Sequence, residues 1–152
     1  MKSVLRWGVC GLLVLGIFGV AYAQFAKPEA AIGYRQGAMV LIGHHFTRIG
    51  AVVQGKAPFD KSAVAKDAEL VATLTALPWE AFMTPGAEKG KTHLKAEALK
   101  DKEGFKALAD ASMAETAKLS QVAAAGDLDA IKTQFGATGK SCKGCHEKYR
   151  TH

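Results

Sequence analysis

Leu128-Asp129-Ala130-Ile131-Lys132-Thr133-Gln134-Phe135-Gly136-Ala137-Thr138-Gly139-Lys140-Ser141-Cys142-Lys143-Gly144-Cys145-His146-Glu147-Lys148-Tyr149 is the stretch on which the fold turns. Leu128, Ile131, Phe135, Thr138, Cys142, Cys145 and Tyr149 recur at alternating steps of three and four, the period of one helical face. Near its end, Cys142 and Cys145 stand three apart and His146 lies one turn beyond Cys142, so a single face presents two thiols and an imidazole. Cys-x-x-Cys-His is the attachment pattern of a c-type haem, in which the thiols add across the two vinyl groups and the imidazole becomes the proximal iron ligand. The cysteines occupy core-facing positions of the stripe, so the porphyrin has to be buried among other helices.

Three other readings of the run are weaker. A zinc site wants four ligands and the run supplies three; His44, His45, His93 or His152 could complete it, but there is no second cysteine pair. A thioredoxin-like redox pair wants a strand before it and a helix opening at the motif, whereas this pair lies near the end of a helical segment. A disulfide between residues three apart on a helix would be strained.

The N-terminus agrees with export, which covalent haem attachment in bacteria requires. Lys2 and Arg6 form a basic start, Trp7 to Val20 is apolar, and Ala21-Tyr22-Ala23 supplies an A-x-A cleavage site. Residues 1–23 therefore read as a signal peptide cleaved after Ala23, with the periplasm as destination and 24–152 as one domain. The apolar run is short for a membrane span. Cys10 leaves with the leader, and the two remaining cysteines are both consumed by the haem, leaving no free thiol in an oxidising compartment. The full chain has a formal charge of +6; without Lys2 and Arg6 there are 18 basic and 14 acidic residues, a charge of +4. So mild a charge, with no basic-aromatic stripe, excludes nucleic acid as an expected partner.

The rest of the mature chain reads as helix. Pro28 and Glu29 suit a helix start, and Ile32, Arg35, Met39, Ile42, Phe46, Ile49 and Val53 form one stripe before Gly55-Lys56-Ala57-Pro58 stops it. Asp60 or Ser62 caps a second helix with Val64, Ala68, Val71, Leu74 and Leu77 apolar, ended by Pro78. The pattern weakens from Trp79 to about Lys100, with a helical turn within 93–100. A third helix spans about Asp101 to Ala125, burying Phe105, Leu108, Ser112, Leu119 and Val122; Gly126 closes it and Asp127 caps the fourth. Four amphipathic helices with mostly short connections predict an all-α, antiparallel four-helix bundle with the haem on its C-terminal helix. No phosphate loop, nucleophile elbow or carboxylate pair is present, so an enzyme is not expected.

With these elements placed, the chain resembles cytochrome c′, the class II c-type cytochromes that carry haem near the C-terminus of a four-helix bundle. The resemblance rests on Phe25-Ala-Lys-Pro28, Tyr34-Arg35-Gln36, His45-Phe46, Ala57-Pro58-Phe59-Asp60, Leu77-Pro78-Trp79, Ala125-Gly126-Asp127-Leu128, and Cys142 to His146 followed by Arg150. It implies one covalently attached haem c per chain, with Cys142 and Cys145 as thioethers and His146 as proximal ligand. Arg150 matches a basic residue beside the proximal haem face. Arg35, with Gln36 next to it in the matching run, would sit near the haem propionates; a buried-face arginine needs an anionic partner. Phe59, Trp79 and Phe82 would wall the haem.

Met39 matches the position facing the open side of the iron. In typical members an apolar residue there leaves the iron five-coordinate and high-spin, able to bind NO or CO; in a low-spin branch a methionine from the first helix binds iron and makes an electron carrier. The stripe puts Met39 on the correct face for either, and the favoured expectation is the five-coordinate gas binder. His44 and His45 are expected at the surface or an interface. The family also implies a homodimer through the first two helices, whose outward faces carry Val40, Leu41 and Val52, and exchange of electrons with redox partner proteins.

Overall fold

The computed structural model describes residues 25–151; the leader expected over 1–23 and its cleavage site lie outside them. Among the described residues six helices follow one another: α1 (Pro28–Val53), α2 (Lys61–Thr75), α3 (Trp79–Phe82), α4 (Glu97–Lys100), α5 (Lys102–Ala125) and α6 (Leu128–Tyr149). The four long ones are the expected bundle. α1 packs on α2, α2 on α5 and α5 on α6, while α6 closes back on α1 more sparsely.

Local chemistry sets the ends. Pro28 opens α1, where its missing N–H is not needed. The Asp60 carboxylate accepts from the Ser62 and Ala63 amides at 2.8 and 3.2 Å, so Asp60 rather than Ser62 caps α2. Asp101 caps α5 through the Gly104 amide, and Asp127 caps α6 through those of Asp129 and Ala130. Gly126 adopts φ +85°, a left-handed conformation that lets α5 stop and the chain reverse into α6.

The bundle has two unlike ends. Where α1 finishes and α2 begins, Ile49, Val64, Ala68, Val71, Leu119, Ala123 and Ile131 form a closed apolar core. Phe46 of α1 stacks on Phe135 of α6 at 4.2 Å between ring centroids. Gly50 permits this approach, since a Cβ there would stand 3.1 Å from the Phe135 ring. Val52, expected to face outward, packs half-buried against this core, because it follows Ile49 by three residues and shares its inner flank. At the other end the helices diverge around a cavity, and residues 76–101, which connect α2 to α5, close it over. That segment holds the short α3 and α4, and its irregular course is what the weak pattern from Trp79 to Lys100 foreshadowed.

Candidate haem site

The cavity measures about 640 Å³, within the range of about 300–1,000 Å³ that cofactor and ligand sites occupy. It takes its walls from all four long helices: Met39 and Phe46 from α1, Val71 and Thr75 from α2, Phe105 and Ser112 from α5, and Thr138 to Tyr149 from α6. Both α1 and α6 line it and the two pack only sparsely on each other, so a bound group would fill space between those helices.

Cys142, Cys145 and His146 all line this space, as the helical spacing requires. Both cysteines are free, partly buried thiols. Burial pushes each thiol up from its ordinary value, and the Cys142 charge adds to the effect on Cys145. A redox-active pair needs the opposite shift, toward thiolate, so this environment disfavours the thioredoxin-like reading. Zinc fares no better: among the described residues no group of three or more His, Cys, Asp or Glu side chains could hold a metal ion. Partial burial, and then the nearby Arg150 guanidinium, lower the His146 imidazole below its ordinary value, which favours the neutral form that can ligate. Arg150 is exposed and borders the cavity as well as a neighbouring groove of about 470 Å³ beside Cys142, Lys143 and Glu147.

Met39 is on the α1 wall, half-buried. Arg35, one turn earlier, is 2 % exposed. Its guanidinium donates to the carbonyls of Ala81 and Ala87 at 3.4 and 2.6 Å and to Thr92 Oγ1 at 2.5 Å, and lies 4.9 Å over the Phe82 ring. Sequence reasoning asked only for an anionic partner; the structure makes Arg35 a strut under the 81–92 segment as well. Burial lowers its pKa, and the charge of Glu88 opposes that. Gln36 also reaches this segment, donating to the Lys91 carbonyl at 2.9 Å, and both residues line the cavity.

Trp79, Phe82, Phe105 and Tyr149 form a continuous aromatic wall, with centroid separations of 5.2 to 6.0 Å. Phe59 does not belong to it. It is 39 % exposed, between Pro58 and the Asp60 cap, and the α1–α2 connection is at the opposite end of the bundle from the cavity. The polar groups of the walls are mostly spoken for. Thr75, Ser112 and Thr138 donate to the carbonyls of Val71, Leu108 and Gln134, each within its own helix. The Trp79 indole N–H is buried without an acceptor. An unsatisfied donor on the wall of an apolar cavity suits a group that brings its own acceptor, as a haem carboxylate does. The donor set, the volume and this orphaned N–H therefore fit a covalent haem.

His45 is not simply at the surface. Its Nδ1 lies 2.8 Å from Asp67, whose other oxygen accepts from Arg48 at 2.9 Å, within the α1–α2 contact. Asp67 on the inner face of α2 gave the sequence pattern no apolar signal, so this pairing was missed.

A helical bundle whose last helix presents Cys-x-x-Cys-His into an apolar cavity defines a class, the c-type haem proteins of four-helix architecture. The comparisons narrow the class. The family described as Cytochrome C′ matches residues 30–150. A cytochrome c′ of Rubrivivax gelatinosus is 48 % identical over 128 residues, covering 84 % of this chain and 98 % of that protein. The crystal structure of cytochrome c′ from the same organism superposes with a TM-score of 0.80 at 47 % identity, covering 84 % of this chain and 100 % of that one. A nitric oxide complex of a variant of cytochrome c prime from Alcaligenes xylosoxidans gives a TM-score of 0.79 at 44 % identity, over 85 % of this chain and 99 % of that one. This chain belongs to the cytochrome c′ family, whose members carry covalently attached haem c.

Proposed function

We propose that the protein is a periplasmic haem protein whose iron is five-coordinate and high-spin, binding NO and CO at the face covered by Met39 and exchanging electrons with redox partner proteins. Cys142 and Cys145 would hold the group through thioethers and His146 would ligate its iron; Arg35, Gln36 and Trp79 would meet its carboxylates. When bound, haem supplies an iron centre that takes diatomic ligands and changes oxidation state. The chain's own residues do the selecting. Met39 and its apolar neighbours Ile42 and Phe46 crowd the α1 wall, so an incoming ligand displaces packing.

The observation that carries this reading is the apolar α1 wall of Met39, Ile42 and Phe46, together with the back-bonding of Thr75, Ser112 and Thr138, which spends those three hydroxyl protons within their own helices. Bound O₂ develops polarity that wants such a donor, whereas NO and CO do not. The nitric oxide complex of the Alcaligenes relative supports NO as a ligand here. The leader pattern and the use of both mature cysteines at the site support export. Tyr34, Val40 and Leu41 of α1 are 40 %, 70 % and 49 % exposed, which supports a homodimer through α1 and α2.

The test is the absorption spectrum of the dithionite-reduced protein before and after CO. A broad high-spin ferrous Soret band that sharpens with CO is expected. Sharp low-spin bands that CO leaves untouched would instead establish Met39 as a bound ligand and the protein as a six-coordinate electron carrier. Met39→Ala should accelerate CO association, by about tenfold for each ~1.4 kcal/mol of packing no longer displaced; an unchanged rate would remove Met39 as the gate.

A further inference from the structure

α6 ends at Tyr149, three residues beyond His146. The last turn of a helix has unpaired carbonyls and frays first, so it is a poor place from which to aim a metal ligand. A ligating imidazole is ordinarily oriented by a second hydrogen bond from its other nitrogen. Among the described residues no side-chain or backbone group hydrogen-bonds the His146 ring, so its orientation must come from the helical turn that carries it.

That turn is fastened from outside. Lys95 Nζ donates to the Glu147 and Lys148 carbonyls at 3.1 and 3.3 Å, two of those the helix end leaves open. The Lys95 amide donates to the Tyr149 carbonyl at 2.9 Å and the Thr151 amide to the His93 carbonyl at 2.8 Å, around the antiparallel bridge Leu94–Arg150. Asp101 joins α5 to α6 through three partners. One oxygen caps α5 through the Gly104 amide at 3.0 Å, while the other accepts from Lys148 Nζ at 2.6 Å and from the Tyr149 hydroxyl at 2.7 Å. Tyr149 is 2 % exposed, with its ring 5.3 Å from Phe105 on the cavity wall. At the opposite end of α6 the polar bonds stay local: the Asp127 cap, and Lys132 and Thr133 donating to Asp129. These fastenings gather on the turn bearing His146 and Arg150.

We propose that Asp101 is a positioning residue for the proximal side: through Lys148 and Tyr149 it locks the last turn of α6 and thereby sets the orientation of the His146 imidazole toward the iron. This inference rests on the haem reading above. Asp101→Asn keeps an acceptor for the Gly104 amide, since asparagine caps helices well, but removes the charged bond to Lys148. Should that variant fail to fold, Lys148→Met breaks the same contact and leaves the α5 cap intact.

The experiment compares holoprotein carrying Asp101→Asn, Lys148→Met or, as a control at the far end of α6, Asp127→Asn. The mass of the wild-type protein first establishes the covalent haem; a chain without that increment overturns the haem reading, and this one with it, before any variant is compared. Two signals are then followed: the iron–histidine stretching band of the ferrous protein by resonance Raman, and amide exchange at Lys95, Arg150 and Thr151. The expected result is a shifted or broadened band and exchange faster by about tenfold or more in the first two variants, with neither change in Asp127→Asn. An iron–histidine band that stays at its wild-type position and width in the first two variants overturns the proposal, whatever their thermal stability.

Discussion

The two ends of the bundle are held by different means. At the α1–α2 turn, side chains of all four long helices meet directly, and Ile49, Leu119 and Ile131 reach full burial with nothing between them. At the Trp79–Tyr149 end the helices stand apart around about 640 Å³, and polar struts tie the walls to the connecting segment: Arg35 and Gln36 reach it from α1, while Lys95 and Asp101 reach from it to α6. The first end is a finished core, stable on its own apolar burial. The second encloses the space that Cys142, Cys145 and His146 line, where a haem would supply contacts that the helices do not make with one another. The expectation is that the order of that end depends on the prosthetic group more than the order of the other does.

The strongest way to break this comparison is to remove both thiols. In Cys142→Ala/Cys145→Ala the protein should carry no covalent haem and lose amide protection around Phe105 and Tyr149. It should keep protection around Ile49, Leu119 and Ile131, with a destabilisation exceeding that of any single core truncation. Uniform loss of protection along all four long helices would show that the ends are one cooperative unit. The next largest effect belongs to the packed end. Leu119→Ala deletes a fully buried side chain and should cost about 2–5 kcal/mol in denaturant unfolding. The haem absorption spectrum should be unchanged. A changed spin state in that variant would mean that strain crosses from one end to the other.

The same contrast explains what the sequence disclosed. The long helices announced themselves, because their stops and starts are chemical: Pro28, Gly55 to Pro58, Asp60, Pro78, and Gly126-Asp127 all act where they stand in the chain. The α6 stripe placed the two thiols and the imidazole on the cavity correctly, since three- and four-residue spacing fixes a face whatever the tertiary context. Arg35 and Gln36 were expected near the haem and do line the cavity, but their bonds to 81–92 were not foreseen. Their partners there include backbone carbonyls of Ala81, Ala87 and Lys91, which leave no trace in side-chain type. Asp101 was legible as a helix start and invisible as the tie to α6, because its bonds to Lys148 and Tyr149 span 47 and 48 residues. Phe59 shows the converse error. An aromatic residue in a matching run suggests a wall, yet its place in the loop between the first two helices puts it at the wrong end.

A smaller effect comes from the cap at the packed end of α6. Asp127→Ala removes the acceptor for the Asp129 and Ala130 amides and should cost about 1 kcal/mol, read as a lowered unfolding midpoint. The iron–histidine band should not move, which is the same discrimination used above for Asp101.

Acid distinguishes the ends most gently. The bonds from Lys148, Tyr149 and the Gly104 amide hold the Asp101 carboxyl down from the ordinary 3.8 to about 2. A folded-state value below the unfolded one means that the folded protein binds the proton less readily, so Asp101 contributes stability above the unfolded value. That contribution declines as pH falls below about 4 and is gone once pH passes through about 2. The carboxylate is solvent-accessible, so the effect is a small one, screened by salt. Between pH 4 and pH 2, amide exchange, corrected for its intrinsic pH dependence, should show the Lys95–Thr151 fastening loosening in wild type but not in Asp101→Asn, which has no proton to gain there. Protection at Leu119 and Ile131 should follow the same course in both proteins, because Asp101's partners Gly104, Lys148 and Tyr149 lie outside the core around them. Equal acid sensitivity of the fastening in wild type and Asp101→Asn would mean that the backbone bridge and Lys95 hold α6 without Asp101, and the charged tie would then be incidental to how the cavity end is closed.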